Sequence, residues 1–534
     1  MTYAEETFKP DEEEILRPYF TSMDKPVFAL VNLPEVVKGA LFARYSRSPK
    51  SLRRLFLDEF VGELDMTGDL TVDATVGLKR AEELYDRVFF EYGDDSVAQL
   101  GGVHLACEQA SNVLTKVLEW GRLMAYLEQS TRYIAYDARL GGRYRYYRDP
   151  TILQSRLGAR YVADMDRMFD TYAELLHPMK AYFEERYPKR PDDGDIAWRT
   201  SIKAKAYDSL RGLLPAGSLS NVGIYGTGQA YEALLLRMRS HPLPEARAYA
   251  DLMLEELRKV IPSFLKRVDL PDRGGAWSEY LEENRRSMEA LAFELFDGVE
   301  PEDRPMVTLV DFDPDAEDKL VTAALYQYTT LPEDQVAAKV KLLSDEDKLA
   351  VLKAYVGNRE NRRHRPGRAW ERTDYRFDVL SDYGAFRDLQ RHRMLTIEWQ
   401  DLTPAHDYVL PEAVAEAGQT EAFAEAMERS AALYEALADG GLVKQAGYAV
   451  ALAYRVRYVM QMNAREAMHL LELRTGPQGH PEYRRVCQQM HRLIAEQAGH
   501  KVIAELMSYV DHGTYDLERL DAENRAEARR AARG

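Results

Sequence analysis

The sequence predicts an α+β chain, rich in helix, built from two tandem copies of one domain. The first observation is an ordered recurrence. The run Val27-Phe-Ala-Leu-Val-Asn-Leu33, ending at Pro34, returns as Val307-Thr-Leu-Val-Asp-Phe-Asp313, ending at Pro314. Ala40-Leu-Phe-Ala-Arg-Tyr45 returns as Ala323-Ala-Leu-Tyr-Gln-Tyr328, and Arg148-Asp-Pro150 as Val409-Leu-Pro411, each after a Tyr. The long helical pattern after Leu157 returns over 421–438, and Leu234-Leu-Leu-Arg237 with His241-Pro242 returns as Leu470-Leu-Glu-Leu-Arg474 with His480-Pro481. Each match is slight, but their common order argues for duplication, and the period is too long for a solenoid. The second observation is that β-rich runs alternate with apolar patterns of helical period. The third is size: 534 residues, 46% of them hydrophobic, supply core enough for more than one domain. The Pro- and Gly-bearing stretch 267–306 connects the copies, which gives domains 1–272 and 273–534.

Taken in order, residues 1–20 are polar and read as a loose arm. Residues 27–33 read as a strand, since β-branched and aromatic side chains stop at a proline. Helical periodicity follows through Leu41, Phe42 and Tyr45, then over 52–64 and 78–90. Gly93-Asp-Asp-Ser96 breaks the chain, and 103–127 mixes strand and helix patterns that the period alone does not separate. Residues 128–136 read as extended, 143–150 as a loop, 157–187 as a long amphipathic helix and 188–195 as a linker. A turn at 210–215 precedes helices over 229–238 and 245–258. The tail 516–534 is charged, poor in apolar residues and expected to fray.

A formal charge of −17 argues against a general nucleic-acid coat, so basic clusters act as focused sites in an acidic body. Two cysteines, Cys107 and Cys487, exclude a disulfide scaffold and a cysteine metal cage and fit a reducing cytoplasm. Both read as buried small hydrophobes. His491 and His500 lack metal-ligand company, and no metal site is expected. No run of about 18 apolar residues exists, and the acidic N-terminus is no signal peptide, so a cytoplasmic protein is expected.

Three stretches carry chemistry. Arg391-His392-Arg393 follows a short helical segment; it is either a set of cations favoured at a helix C-terminus or a grip for a diphosphate or an electron-rich ring. In Glu128-Gln129-Ser130-Thr131-Arg132, Ser130 and Arg132 stand two apart on an extended segment, so a hydroxyl and a guanidinium face one way, as a phosphate monoester needs. The alternative is a solvated strand face. Arg211, at the turn before Pro215, is a second phosphate clamp or a surface arginine. On a late helix Arg474 returns to the side of Asn463, and His469 to the side of Arg465. Met460-Gln-Met462 reads as core. The run 359–368 (RENRRHRPGR) is the densest basic stretch, either solvated or steering anions to a site.

With both copies in view, the chain resembles the flavin-dependent thymidylate synthases. That family carries Arg-His-Arg, then Glu-x-Ser-x-Arg, Arg-x-x-Leu-Pro, Asn-x-Arg and a late-helix Arg. The first copy keeps Glu128, Ser130, Arg132 and Arg211, but has Trp120-Gly121-Arg122 at Arg-His-Arg and Gly226-Thr227-Gly228 near Asn-x-Arg. The second keeps Arg391-His392-Arg393, Asn463, Arg465, His469 and Arg474, but has Trp399, Asp401 and Thr403 for Glu-x-Ser-x-Arg and Gly447 for the arginine before Leu-Pro. The losses are complementary, so one composite site is expected intact and its mirror lost.

The resemblance implies an enzyme making dTMP from dUMP with FAD, NADPH and methylene-tetrahydrofolate. It implies FAD on Arg391, His392, Arg393, Asn463, Arg465, His469 and Glu371, the last placed like the family's flavin-contacting Glu; Ser96 and Gln99 hold the related place in the first copy. It implies dUMP on Glu128, Gln129, Ser130, Thr131, Arg132, Arg211, Arg391 and Arg474, with Arg474 catalytic, stabilising charge at the pyrimidine N3. A homodimer would rebuild the family's four-domain body. The other reading is a degenerate, non-catalytic homologue with a regulatory or scaffold role. Asp388 in place of a Gln, Thr396 in place of a Ser, and the lost mirror site favour it. An RNA-binding role rests on 359–368 alone, and the net charge opposes it.

Overall fold

The computed structural model describes residues 7–24, 28–45, 48, 50–61, 99–517 and 519–531. The expected helix over 78–90 and the break at 93–96, with Ser96, lie outside these residues. The expected strand at 27–33 is corrected: residues 28–33 make a single bridge, Phe20 to Leu30, and no strand.

In chain order the first copy has helices α1 (Glu35–Tyr45) and α2 (Leu52–Glu59), strand β1 (Gly102–Ser111), α3 (Asn112–Leu118), β2 (Met124–Glu128), α4 (Gly158–Arg186), α5 (Asp195–Leu210), β3 (Leu219–Thr227), α6 (Gly228–Arg239) and α7 (Pro244–Arg258). Helix α8 (Ala276–Phe296) connects the copies. The second has β4 (Val307–Phe312), α9 (Ala316–Tyr326), β5 (Asp374–Asp382), α10 (Tyr383–Leu389), β6 (Thr396–Trp399), α11 (Thr420–Asp439), α12 (Val443–Ala446), β7 (Arg455–Asn463), α13 (Ala464–Arg474) and α14 (Pro481–Glu496), and the chain closes with α15 (Leu520–Ala531). The ambiguous stretch 103–127 is strand, helix, strand. Helix α5 and strand β3 were absent from the sequence reading: mean apolar content hid α5, and β3 alternates with small residues.

The duplication shows in topology. One sheet has the order β1-β3-β2, and the other β4-β5-β7-β6, so β5-β7-β6 repeats the first pattern with β4 added at the edge. The register of β5 on β7 runs unbroken from Asp374↔Asn463 to Asp382↔Arg455. Alternation of buried Tyr375, Phe377 and Val379 fits a strand with one covered face. Met460 and Met462 are buried, as expected.

By contact the chain forms two units that do not follow chain order: residues 1–108, 121–128 and 221–299, and residues 109–120, 129–220 and 300–534. The first holds the three-stranded sheet's pairing of β2 with β3. The second has at its centre a seam between like parts of the two copies. The turn Arg211–Leu213 matches Gly447–Ala449, and Pro215 bridges Ala451, its own counterpart. Ala216 N–H donates to Val450 O at 2.8 Å, and the counterparts Leu452 and Leu214 do the same at 2.9 Å. Gly217 to Tyr448 at 2.8 Å is mirrored by Ala453 to Gly212 at 3.0 Å. Each contact has its exchanged twin, the mark of an isologous interface, here inside one chain. Leu213, Leu214, Ala216, Ala449, Val450, Ala451 and Leu452 are fully buried along it.

The tail does not fray as expected. Helix α15 packs on α5, and its Glu527 Oε2 and Asn524 Oδ1 accept the N–H groups of Ala197 (2.9 Å) and Gly194 (3.1 Å) at the α5 N-terminus. The tail thus satisfies donors that α5 leaves open. Truncation after residue 516 is expected to lower the thermal midpoint by several degrees, read by differential scanning calorimetry, as loss of a helix cap and a buried arginine entails.

Candidate active site

The residues 128–136 were expected to be extended. After β2 they turn instead: Tyr133 N–H reaches Ser130 O, and Ser130 Oγ accepts the Arg132 N–H at 3.2 Å. Ser130 is therefore spent on its own backbone in this conformation, as short hydroxyl side chains in turns often are. The turn sends Arg132 inward. Its Nε and Nη2 donate to both oxygens of Asp208 at 2.8 and 2.6 Å, and Nη1 donates to the Tyr483 hydroxyl at 3.2 Å. Asp208 comes from the last turn of α5, and Arg519 adds a second guanidinium at 3.6 Å. Burial opposes the charge on Asp208, but the charge and hydrogen bonds of Arg132 prevail, with His480 and Arg519, and hold its carboxyl at about 2.

Arg211 leads the short turn that ends α5 and is 4% exposed. Its Nη1 lies 3.3 Å from Asp388 Oδ2. Arg391 and Arg474 each place Nη1 3.9 Å from Asp388 Oδ1. Burial works against ionisation of Asp388, and the charges of Arg391, Arg211, Arg474 and Arg132 outweigh it, so its carboxyl lies well below the usual range. Gly384 permits this packing: a Cβ there would stand 3.0 Å from Arg211 Nε and Nη2 and 2.8 Å from Asp382 Oδ1. Asp382 caps α10 through the Ala385 N–H at 2.9 Å. Its burial pushes its own carboxyl up to about 7, against the pull of Arg211.

The second wall is built on β7 and α13. Arg474 Nε donates to His392 Nε2 at 3.0 Å. Arg474 has no lone pair to offer, so Nε2 is the acceptor, the proton sits on Nδ1, and Nδ1–H donates to Glu466 Oε1 at 3.0 Å. Burial, then the charges of Arg474 and Arg365, keep His392 neutral far below its ordinary pKa. His469 stands with its ring 5.4 Å from that of His392, and burial takes its pKa down to about 4. Among the described residues His392, Glu466 and His469 bring ligand-type atoms within 4.8 Å of one another, yet both nitrogens of His392 are already bonded. Arg465 Nε donates to Pro366 O at 2.9 Å and its Nη1 lies 3.7 Å from Glu371. Asn463 caps α13 by accepting the Glu466 N–H at 2.9 Å.

Thus Arg132 and Arg211 from the first copy and Arg391, His392 and Arg474 from the second meet in one unit of one chain, and Tyr483 joins the two sets. Its hydroxyl takes Arg132, and Arg474 lies over its ring at 5.5 Å. His469, Arg465 and Glu371 form an adjoining face; Arg393 is exposed beside His392. Gln129 and Thr131 flank the turn, Thr131 buried. Glu128, also buried, ends β2 and belongs to the other unit. The basic run 359–368 is only partly solvated: the Arg359 side chain is buried and grips Glu472 with bonds of 2.6 and 2.5 Å, while Arg363, Arg365 and Arg368 are exposed. Asp208, Glu466, Tyr483 and Arg519 were missed. Glu466 stood between Arg465 and His469, one position from notice; Arg519 was hidden in a tail read as frayed; nothing local marks Tyr483 or Asp208. Cys107 and Cys487 are buried thiols, and burial raises each to about 12.

Among the described residues no helix is long and apolar enough to cross a membrane. Comparison with known proteins bears on the arrangement. A UPF0159 protein of Chlamydia muridarum is 38% identical over 99% of this chain and 100% of its own length. A UPF0159 protein of Thermoplasma acidophilum is 32% identical over 91% of this chain and 98% of its own. A solved structure, a UMP/dUMP methylase PolB from Streptomyces cacaoi bound with 5-Br dUMP, is 20% identical, covers 38% of this chain and 97% of its own, and superposes with a TM-score of 0.31. The thymidylate synthase complementing protein family matches twice, over residues 44–263 and 308–498, once in each copy. Two family domains in tandem, with complementary motif losses, make this chain a member of the thymidylate synthase complementing protein family, the flavin-dependent thymidylate synthases.

Proposed function

We propose that the chain makes dTMP from dUMP, using FAD with methylene-tetrahydrofolate and NADPH, at one composite site formed by its halves 1–272 and 273–534. The observation that carries this reading is the convergence of Arg132 and Arg211 with Arg391 and Arg474 around Asp208, Asp388 and Tyr483. Five guanidiniums, with Arg519, face two firmly ionised carboxylates. The positive surplus suits a phosphate monoester dianion and a pyrimidine whose N3 gains negative charge. Arg474 is fixed for that last task by His392, Asp388 and Tyr483. Arg391 and Arg211 hold the nucleotide, and Gln129, Ser130 and Thr131 complete its cradle, Ser130 exchanging its backbone contact for the phosphate.

The face around His469 fits a flavin dinucleotide by its chemistry. The exposed Arg393 and Arg365 and the half-buried Arg465 offer donors to a diphosphate, and neutral His469 and Asn463 offer polar contacts that add no repulsion, while neutral His392 lines the face and Glu371 steadies Arg465. When bound, FAD supplies the hydride; the chain orients the pyrimidine and excludes water. Purified protein is expected to be yellow, with about one FAD per chain rather than two, and to release tritium from deoxyuridylate labelled at C5. One observation favours the second reading, a binding protein without turnover: Asp388 already occupies guanidiniums that an incoming anion needs. Flavin without tritium release selects it.

A second copy is proposed as the partner. Helix α8 buries no side chain, and Trp277, Met288, Leu291 and Leu295 are exposed along it. With Leu281 and Asn284 they follow a 3.5-residue repeat, which a like helix completes and in which one polar seam residue fixes the register. Met288→Glu with Leu295→Glu is expected to convert dimer to single chains by sedimentation; an unchanged mass rejects this pairing.

A further inference from the structure

The tail brings a second cation to Asp208 and leaves it without a bond. Arg132 spends one planar edge on that carboxylate, with Nε and Nη2 at 2.8 and 2.6 Å, and its remaining Nη1 on Tyr483. A phosphate monoester is gripped by such a paired edge, so Arg132 meets an anion with it only by releasing Asp208. The Asp208 side chain is 10% exposed and firmly ionised. A buried charge stripped of its partner is strongly unfavourable. Arg519 stands where a replacement is needed. Its Nη2 lies 3.6 Å from Asp208 Oδ2, just beyond a hydrogen bond. Among the described residues neither Nη1 nor Nη2 of Arg519 has a hydrogen-bond partner, although the residue is 6% exposed and both atoms are buried. Buried polar atoms are ordinarily satisfied, so two left open beside a carboxylate mark an incomplete arrangement. Two contacts hold Arg519 ready. Its guanidinium lies over the Tyr133 ring at 4.3 Å, and Tyr133 follows Arg132 in the turn. Helix α15, which begins at the next residue, packs on α5, whose last turn carries Asp208.

We propose that Arg519 is a positioning residue for the anion site: it takes over Asp208 when a phosphate monoester draws Arg132 away, so that the tail completes the site on binding. The inference rests on the reading that Arg132 meets the phosphate of dUMP. In the exchange Arg132 gives up two bonds to Asp208 and gains the phosphate, and Arg519 approaches by about 0.7 Å to bond the carboxylate. No carboxylate is left alone at either stage. The tail is thereby coupled to the nucleotide: what binds Arg132 tightens α15, and what holds α15 in place favours binding.

The test is calorimetric titration of the full-length protein with dUMP, in the wild type, Arg519→Gln, Asp208→Asn and the double variant. Arg519→Gln is expected to weaken dUMP binding at least about tenfold, the scale of lost bonds to a charged group, and Arg519→Lys to recover part of the loss. In the Asp208→Asn background no carboxylate needs a counter-charge, and Arg519→Gln is expected to change affinity by less than about twofold. A purely structural arginine would cost the same in both backgrounds. Amide hydrogen exchange on the wild type needs no variant: saturating dUMP is expected to slow exchange over residues 519–531 at least about threefold. Undiminished affinity in Arg519→Gln, an equal loss in both backgrounds, or exchange over 519–531 unmoved by dUMP overturns the inference. Absence of saturable dUMP binding by the wild type overturns the reading beneath it as well.

Discussion

Arg132→Ala and Arg474→Ala chains are each expected to lose at least about a hundredfold in tritium release, and a mixture of the two to recover nothing. The reason is placement. Arg132 reaches the Tyr483 hydroxyl at 3.2 Å while Arg474 covers the same ring at 5.5 Å, within one chain. Mixed chains then hold one broken site of each kind. Recovery to about a quarter of the wild-type rate, as random pairing of complementing subunits gives, would show that the site forms between chains. Arg132→Lys is the control for folding: it keeps the charge beside Asp208 but cannot make the paired bonds of a planar guanidinium.

Asp208→Ala is expected to cost about 3–5 kcal/mol of stability, measured by urea denaturation, because it strands Arg132 and Arg519 in the interior without a counter-charge. Acid should imitate it. Asp208 has a folded pKa of about 2 against an ordinary 3.8, so its contribution is present above the ordinary value and is lost as pH falls towards 2. That shift corresponds to about 2 kcal/mol. Asp208→Asn, which keeps the shape, should show a shallower fall in stability between pH 4 and 2 than the wild type. Equal slopes would mean that the Asp208 carboxyl is not what acid attacks first.

Much of this site was legible in the chain because its residues are of a kind, and at spacings, that survive duplication. Arg391-His392-Arg393 and Arg211 before Pro215 are local strings, and their complementary loss between copies is itself a pattern. Helix α4 was plain from apolar side chains such as Tyr161, Met165, Phe169 and Tyr172 at helical spacing. What stayed hidden is what only folding brings together. Asp208 and Tyr483 are far apart in sequence and meet at Arg132. Residues 128–136 read as a strand because Thr131, Tyr133 and Ile134 favour one, but Ser130 can bond the backbone ahead of it, and a turn won. The tail was misread for a similar reason: its charges serve α5 as caps and Asp208 as a partner, a use that composition does not disclose.

The seam at Pro215 and Ala451 has a further consequence. In an assembly of identical subunits, a single codon sets the residue on both sides of such an axis, so every substitution arrives twice. Here the two sides are inherited separately. Arg211 and Gly447 stand at mirrored places, and a change at one leaves the other as it was. Joining two subunits into one polypeptide thus freed each from answering for its twin, and specialisation of the pair needed no second gene.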